Sequence, residues 1–222
     1  MRHIKYEEID STNLEAKRLI DSQAIHQITI ISAKIQTHGR GRMDRSWVSI
    51  QGNMMFSIII PQKWVKNNLL PICVCIAIYE VISPNNNVYF KWPNDILIVN
   101  DVPKKCCGVL IENYNDYFIV GIGVNIVSHP LHDMRFPVTH LQLNNLQIQS
   151  EESIARQLLL CLNIPAKAVL DTWSKRNFFQ GKAVEINGFG GIFQNINDDM
   201  SIEIQNQDTV KTFHYGDLSS FN

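Results

Sequence analysis

Between Val88 and Val127 the chain reads VYFKW, ILIV, GVLIE and YFIVGIGVNIV, four short apolar runs punctuated by PND and NDVPKK. Runs this short, rich in β-branched and aromatic residues and bounded by turn formers, predict strands rather than helices. The NDVPKK segment predicts a hairpin turning at Asn100 and Asp101, so these strands should run antiparallel. Gly121 and Gly123 interrupt the last run, and a glycine inside a strand marks a place where a ligand or another backbone comes close. A sheet is therefore the first requirement, with something approaching one of its faces.

The segments around it supply cover and a second unit. DSTNLEAKRLI carries a Thr12-x-x-Glu15 capping box followed by helical spacing, which predicts a helix from Thr12. QITIISAK reads as a strand leading directly into THGRGR, and MMFSIII, closed by Pro61, reads as another. NLLPICVCIAIYEVI has the length and apolar continuity of a buried helix, ended by SPNNN. Two further helices are expected between Ser150 and Asn177, around Ile164 and Pro165. From Gly181 onward the texture changes to short alternating strands with turn residues, which predicts a small β-barrel or sandwich. The expected division is 1–180 and 181–222.

Charge narrows the function classes. With 20 Lys+Arg against 21 Asp+Glu the formal net charge is -1, so the chain lacks the global basic footprint of a dedicated nucleic-acid binder. No apolar run approaches a membrane span, and MRHIKYEEID lacks the apolar core and cleavage site of a signal peptide, so a cytoplasmic protein is expected. The five cysteines include Cys73, Cys75 and the adjacent Cys106 and Cys107. Their spacing fits no zinc knuckle and reads as reduced, buried thiols.

Positive charge is instead local. IQTHGRGRMDRSW places Arg40, Arg42 and Arg45 close together, spaced by Gly39 and Gly41 and ending on Trp47. Neighbouring cations repel and glycines loosen the backbone, so an anion is the expected partner. Guanidinium forks with freed backbone N–H groups suit phosphate oxygens. The loop is neither a Walker A loop nor a Rossmann fingerprint, and GRGR alone equally fits an RNA-binding segment or a solvated loop. KWPND, Lys91 to Asp95, offers a cation, an amide and a carboxylate suited to a metal-chelated phosphate, or simply an ordinary turn. KKCCGVLIE supplies Lys105 and, three residues on, Gly108.

In this order, DSTN, QTHGRGRMDRSW, KWPND, KKCCGVLIE and VGIGVNI closely resemble the biotin protein ligases, enzymes that attach biotin to carboxylases. The resemblance spans Ile9 to Ile126, and continues more weakly through Trp173 to a closing GDLS at Gly216 to Ser219. It implies an α+β fold: a mixed sheet backed by helices, then a small SH3-like β-barrel. It implies a biotin site of Ser11, Thr12, Asn13, Gln36, Gly39, Arg40, Gly41, Arg42, Lys105, Gly108, Leu110, Gly121 and Gly123. ATP and the adenylate are implied at Arg40, Arg42, Arg45, Trp47, Asn94 and Asn125, with Asp95 on the magnesium side. Lys105, Arg40 and Arg42 are the implied catalytic groups.

The reaction implied is ATP-dependent: biotin becomes biotinyl-5'-AMP and passes to a lysine of a biotin carboxyl carrier protein, with Mg²⁺ accompanying ATP. A lipoate or octanoate ligase of the same fold is the nearer alternative, and a non-catalytic RNA-binding module the more distant one. Two departures from the family pattern stand out. Asp44 replaces a usual glycine, placing a carboxylate beside Arg42 and Arg45, and the helical segment before Trp173 is short. Only ten residues precede Ser11, so no DNA-binding winged helix and no specific DNA contact are expected.

Overall fold

The computed structural model describes residues 1–82, 87–130, 136–141, 151–207 and 209–220. In chain order the elements are β1 (Arg2–Ile9), α1 (Thr12–Asp21), β2 (Thr29–Gln36), β3 (Met54–Pro61), α2 (Leu70–Ile82), β4 (Val88–Lys91), β5 (Asp95–Val99), β6 (Pro103–Tyr114) and β7 (Tyr117–Val124). Then come α3 (Glu151–Cys161), α4 (Ala166–Arg176), β8 (Ala183–Ile186), β9 (Phe189–Ile196), β10 (Ile202–Asn206), β11 (Thr209–Phe213) and β12 (Ser219–Ser220). The first seven strands form one sheet in the order β1-β2-β3-β7-β6-β5-β4. Only β1 and β2 run parallel. The remaining neighbours are antiparallel, as the short runs and the Asn100–Asp101 turn predict.

Strand periodicity sorts the side chains onto two faces. Ile30, Phe56, Ile58, Ile60, Val120 and Ile122 point into the larger core beneath α2 and α3. Ile31, Ile59 and Ile119 point the other way, onto Ala16 and Ile20 of α1. α2 is apolar on nearly every side because it is covered on nearly every side. The SPNNN expected to end it falls largely on residues 83–86, outside the described residues. α1 covers only part of its sheet face, and the uncovered remainder is where the candidate site lies.

α1 begins where expected, but the Thr12–Glu15 capping box does not form. Ser11 is the N-cap and no side chain caps the helix. The Thr12 hydroxyl is donated to Gln36 Oε1 instead. Glu15 accepts from Tyr6 Oη and pairs with Arg18. Tertiary partners take the polar groups that a local cap would use.

The C-terminal strands form a separate five-stranded antiparallel sheet, β11-β10-β9-β8-β12. Its inward residues Val184, Ile186, Phe193, Ile202 and Ile204 join the same core as the main sheet. α4 packs on the main sheet by stacking Trp173 on Phe90, ring centroids 4.8 Å apart. Trp92 Nε1 donates to the Met200 carbonyl at 2.8 Å. All five cysteines are free and buried, as expected. None of the described helices is long and apolar enough to cross a membrane.

Candidate active site

The site is built on the sheet face that α1 leaves open. Directly paired residues share a face, and the pairs Ser57↔Gly121, Gly108↔Gly123 and Leu110↔Gly121 put β3, β7 and β6 side by side there. The glycines make a low floor, yet the groups that come close are the chain's own. A Cβ on Gly121 would collide with the Asn13 amide, and one on Gly123 with the Trp47 indole. Trp47 thus lies across the Gly108–Gly123 pair, with its Nε1 buried and unpartnered among the described residues.

At the N-terminus of α1, Ser11, Thr12 and Asn13 are all buried. Gln36 Oε1 accepts from the Thr12 backbone N–H at 2.8 Å. Ser57 Oγ lies 2.7 Å from Thr12 Oγ1 and 2.5 Å from Asn13 Oδ1. Asn13 Nδ2 donates to Glu112 Oε2 at 2.8 Å, so the amide is held at both ends. Sequence reading picks out Thr12, Asn13 and Gln36 but misses Ser57 and Glu112. Ser57 is hidden within MMFSIII, where a lone serine passes for a strand filler; parity with Gly121 is the signal that could have found it.

The glycine-arginine loop folds as a hairpin. Trp47 N–H donates to the Gly39 carbonyl, Gly41 N–H to that of Arg45 and Arg45 N–H to that of Arg42. The two central residues of the tip, Met43 and Asp44, have φ of 53° and 55°, as a primed turn requires. Gly39 is sterically required because a Cβ would strike the Trp47 carbonyl, whereas Gly41 has ordinary room. A cleft of about 430 Å³ opens between this hairpin and the end of β2, lined by Gln36, His38, Arg40, Arg45 and Trp47 among others.

Asp44 is exposed and forms no ion pair with the arginines among the described residues. Each arginine takes a different partner. Arg40 Nη1 pairs with Glu112 at 3.3 Å, and Arg42 Nη1 donates to Asn94 Oδ1 at 3.0 Å. Arg45 pairs with Asp217 of the C-terminal segment, a residue that the GDLS resemblance brings near without assigning it a role. Burial works against ionisation of Asp217, but the Arg45 hydrogen bond and nearby cations outweigh it and hold its carboxyl below the usual range.

Beyond the hairpin lies a charge cluster. Lys105 Nζ sits 2.6 Å from Asp95 Oδ1, and Lys91 Nζ 3.7 Å from Asp95 Oδ2. Burial pulls the Lys91 ammonium below its usual value while Asp95 works the other way. Lys105 reaches this face through a bulge: Ile96 pairs with Cys107 but Leu97 with Lys105, leaving Cys106 as an extra residue. Strict alternation would set Lys105 and Gly108 on opposite faces. With the bulge, a Cβ on Gly108 would lie 3.0 Å from Lys105 Nζ. Lys104 is exposed.

The Lys105 backbone is itself clamped. Its N–H donates to the Pro137 carbonyl at 2.7 Å and its carbonyl accepts from Thr139 at 2.8 Å. Asn125, expected near adenine, donates its amide to the Thr139 carbonyl at 3.1 Å and lies 3.4 Å from Asn53 Nδ2. Asp95, implied on the magnesium side, pairs with both ammoniums here. Among the described residues no group of three or more His, Cys, Asp or Glu could hold a metal ion.

Residues 6–126, more than half of the chain, match the biotin/lipoate A/B protein ligase family. The bifunctional ligase/repressor BirA of Bacillus spizizenii is 26% identical over 98% of this chain and 74% of its own length. The biotin acetyl-CoA-carboxylase ligase of Paracoccus denitrificans is 31% identical over 54% of this chain and 53% of its own. The Aquifex aeolicus biotin protein ligase solved with biotin and ATP superposes with a TM-score of 0.78 at 24% identity, covering 98% of this chain and 97% of that one. Fold, order of motifs and extent of match agree, and the chain belongs to the biotin/lipoate A/B protein ligase family.

Proposed function

We infer that this chain is an ATP-dependent biotin protein ligase that adenylates biotin and passes the biotinyl group to a lysine of a biotin carboxyl carrier protein in the cytoplasm. The observation that carries the reading is the surplus of positive charge on the open sheet face. At its β4–β5 end Lys91, Lys105, Arg42 and Arg45 converge against two carboxylates, Asp95 and Asp217. In the first half-reaction a biotin carboxylate attacks the α-phosphorus of ATP and pyrophosphate leaves. Two anions are brought together, so preorganised cations are the groups that lower the barrier.

Ser11, Thr12, Asn13 and Gln36 would hold the biotin ring system, with Gly108, Leu110, Gly121 and Gly123 beneath it. Arg40, Arg42 and Lys105 would face the carboxylate and acyl phosphate, and Arg45, Trp47, Asn94 and Asn125 the nucleotide. Magnesium enters with the nucleotide as part of the substrate, and no step here is routed through it. In the second half-reaction the neutral carrier lysine attacks the mixed anhydride and AMP leaves.

The test is exchange of labelled pyrophosphate into ATP with biotin, lipoate or octanoate supplied in turn. Exchange that depends on biotin supports the reading. Exchange with lipoate and none with biotin would overturn it in favour of the family's other branch.

A further inference from the structure

We propose that Glu112 is a positioning residue for the biotin half of this site, fixing which way the Asn13 amide points and holding the hairpin at the pocket's edge through Arg40. The proposal rests on the ligase reading above and names the residue that closes the KKCCGVLIE motif, to which the resemblance assigns no role.

Three donors from two elements converge on one carboxylate. Oε2 accepts from Asn13 Nδ2 at 2.8 Å, while Oε1 accepts from Lys17 Nζ at 2.7 Å and Arg40 Nη1 at 3.3 Å. Glu112 pairs with Ile119, so it stands on the same face as Gly108, Leu110 and Gly121. The side chain is 17% exposed. Burial alone would raise its pKa, but the Lys17 and Asn13 hydrogen bonds and the Arg40 charge outweigh that and keep it ionised.

The consequence for Asn13 is specific. Ser57 sits at the amide oxygen and Glu112 accepts from the amide nitrogen, so the two together exclude the flipped amide. A glutamine at 112 keeps the size but offers one acceptor oxygen and an NH₂ group to three donors. At least one donor then faces another donor, and either the amide of Asn13 or the guanidinium of Arg40 loses its fixed direction.

The experiment measures KM for biotin and KM for ATP in pyrophosphate exchange for wild type, Glu112→Gln, Glu112→Asp and Tyr114→Phe. Tyr114 lies on the same strand and ties it to α1 through Asp21; its ring also underlies Lys17, a contact that phenylalanine keeps. Glu112→Gln should raise KM for biotin by about tenfold, the low end of losing a hydrogen bond to a charged group, and leave KM for ATP within about twofold. Tyr114→Phe should leave both where they were. A rise below about fivefold, or an equal rise in both constants, would mean that Glu112 only pins α1 to the sheet and would overturn the proposal. Should Glu112→Gln fail to fold, Glu112→Asp keeps the charge but withdraws it by one methylene; it must raise KM for biotin more than KM for ATP, and unchanged constants would overturn the proposal. The wild-type protein separates the two levels of inference. No biotin-dependent exchange from it defeats the ligase reading, whereas normal exchange with an unmoved variant defeats only the role of Glu112.

Discussion

Replacing Lys105 with alanine tests the charge cluster most directly. The side chain is 24% exposed and its ammonium lies 2.6 Å from Asp95 Oδ1. Its removal leaves Lys91, Arg42 and Arg45 against Asp95 and Asp217, cutting the formal surplus in this cluster from about two charges to one. A unit charge about 4 Å from a developing anion is worth about 4 kcal/mol at an effective dielectric constant of about 20, or roughly three orders of magnitude in rate. Partial exposure trims that, so Lys105→Ala should slow adenylation about 10²- to 10³-fold, the loss typical of one preorganised donor. The assay is pyrophosphate exchange at saturating biotin and ATP. Lys105→Arg should not restore it, since the ammonium is packed against Gly108 and a planar fork has no matching space. Lys104→Ala is the control, because Lys104 is exposed. If Lys104→Ala abolished adenylation while Lys105→Ala left it intact, the bulge at Cys106 and every assignment built on its parity would be wrong.

Other outcomes follow from the same geometry. Asp44→Gly relieves a left-handed φ of 55°, which should favour the closed hairpin by about 1 kcal/mol and slow release of biotinyl-5'-AMP in a single-turnover assay; release at the wild-type rate or faster counts against it. Gly121→Ala pushes a methyl into the Asn13 amide, so labelled biotin should bind about tenfold or more weakly in equilibrium dialysis, and undiminished binding would show that Asn13 is not a biotin contact. Glu112 titrates below its ordinary value of 4.5, so the stability it contributes is fully present above about pH 4.5 and is lost as pH falls through its lower folded value. Urea midpoints should therefore decline less steeply on acidification below about pH 4.5 in Glu112→Gln than in wild type, and parallel declines would contradict the pairing.

Much of this was legible because it depends on local pattern. The short apolar runs, the turn at Asn100–Asp101, the two helices around Ile164 and the change of texture at Gly181 all follow from periodicity and turn chemistry. What escaped depends on partners distant in the chain. A bulge exists only relative to the opposite strand, so nothing in KKCC reveals that Cys106 is the extra residue. The capping box at Thr12 looks sound until Gln36, 24 residues away, takes the hydroxyl. Gly121 and Gly123 correctly signal close approach, but the sequence cannot say that the visitors are Asn13 and Trp47. Glu112 is one acidic residue among many until three donors from α1 and the hairpin meet it.

The hairpin also answers why three arginines can stand so close together in the absence of an anion. They do not face one another: Arg40 is drawn to β6, Arg42 to the turn between β4 and β5, and Arg45 to the C-terminal segment. The strengths of these ties differ in a useful way. Arg40 and Arg45 are 39% and 44% exposed, and ion pairs at such positions are worth about 1 kcal/mol or less. Arg42 is buried more deeply but, among the described residues, its side-chain hydrogen-bond acceptor is a neutral amide oxygen. Charge-assisted, bidentate bonds to phosphate oxygens are roughly twice as strong as neutral hydrogen bonds. On the proposed reading an arriving acyl phosphate would compete with ties weak enough to exchange, while the same ties keep the cations apart beforehand. On that reading the loop would meet its ligand with each guanidinium already placed.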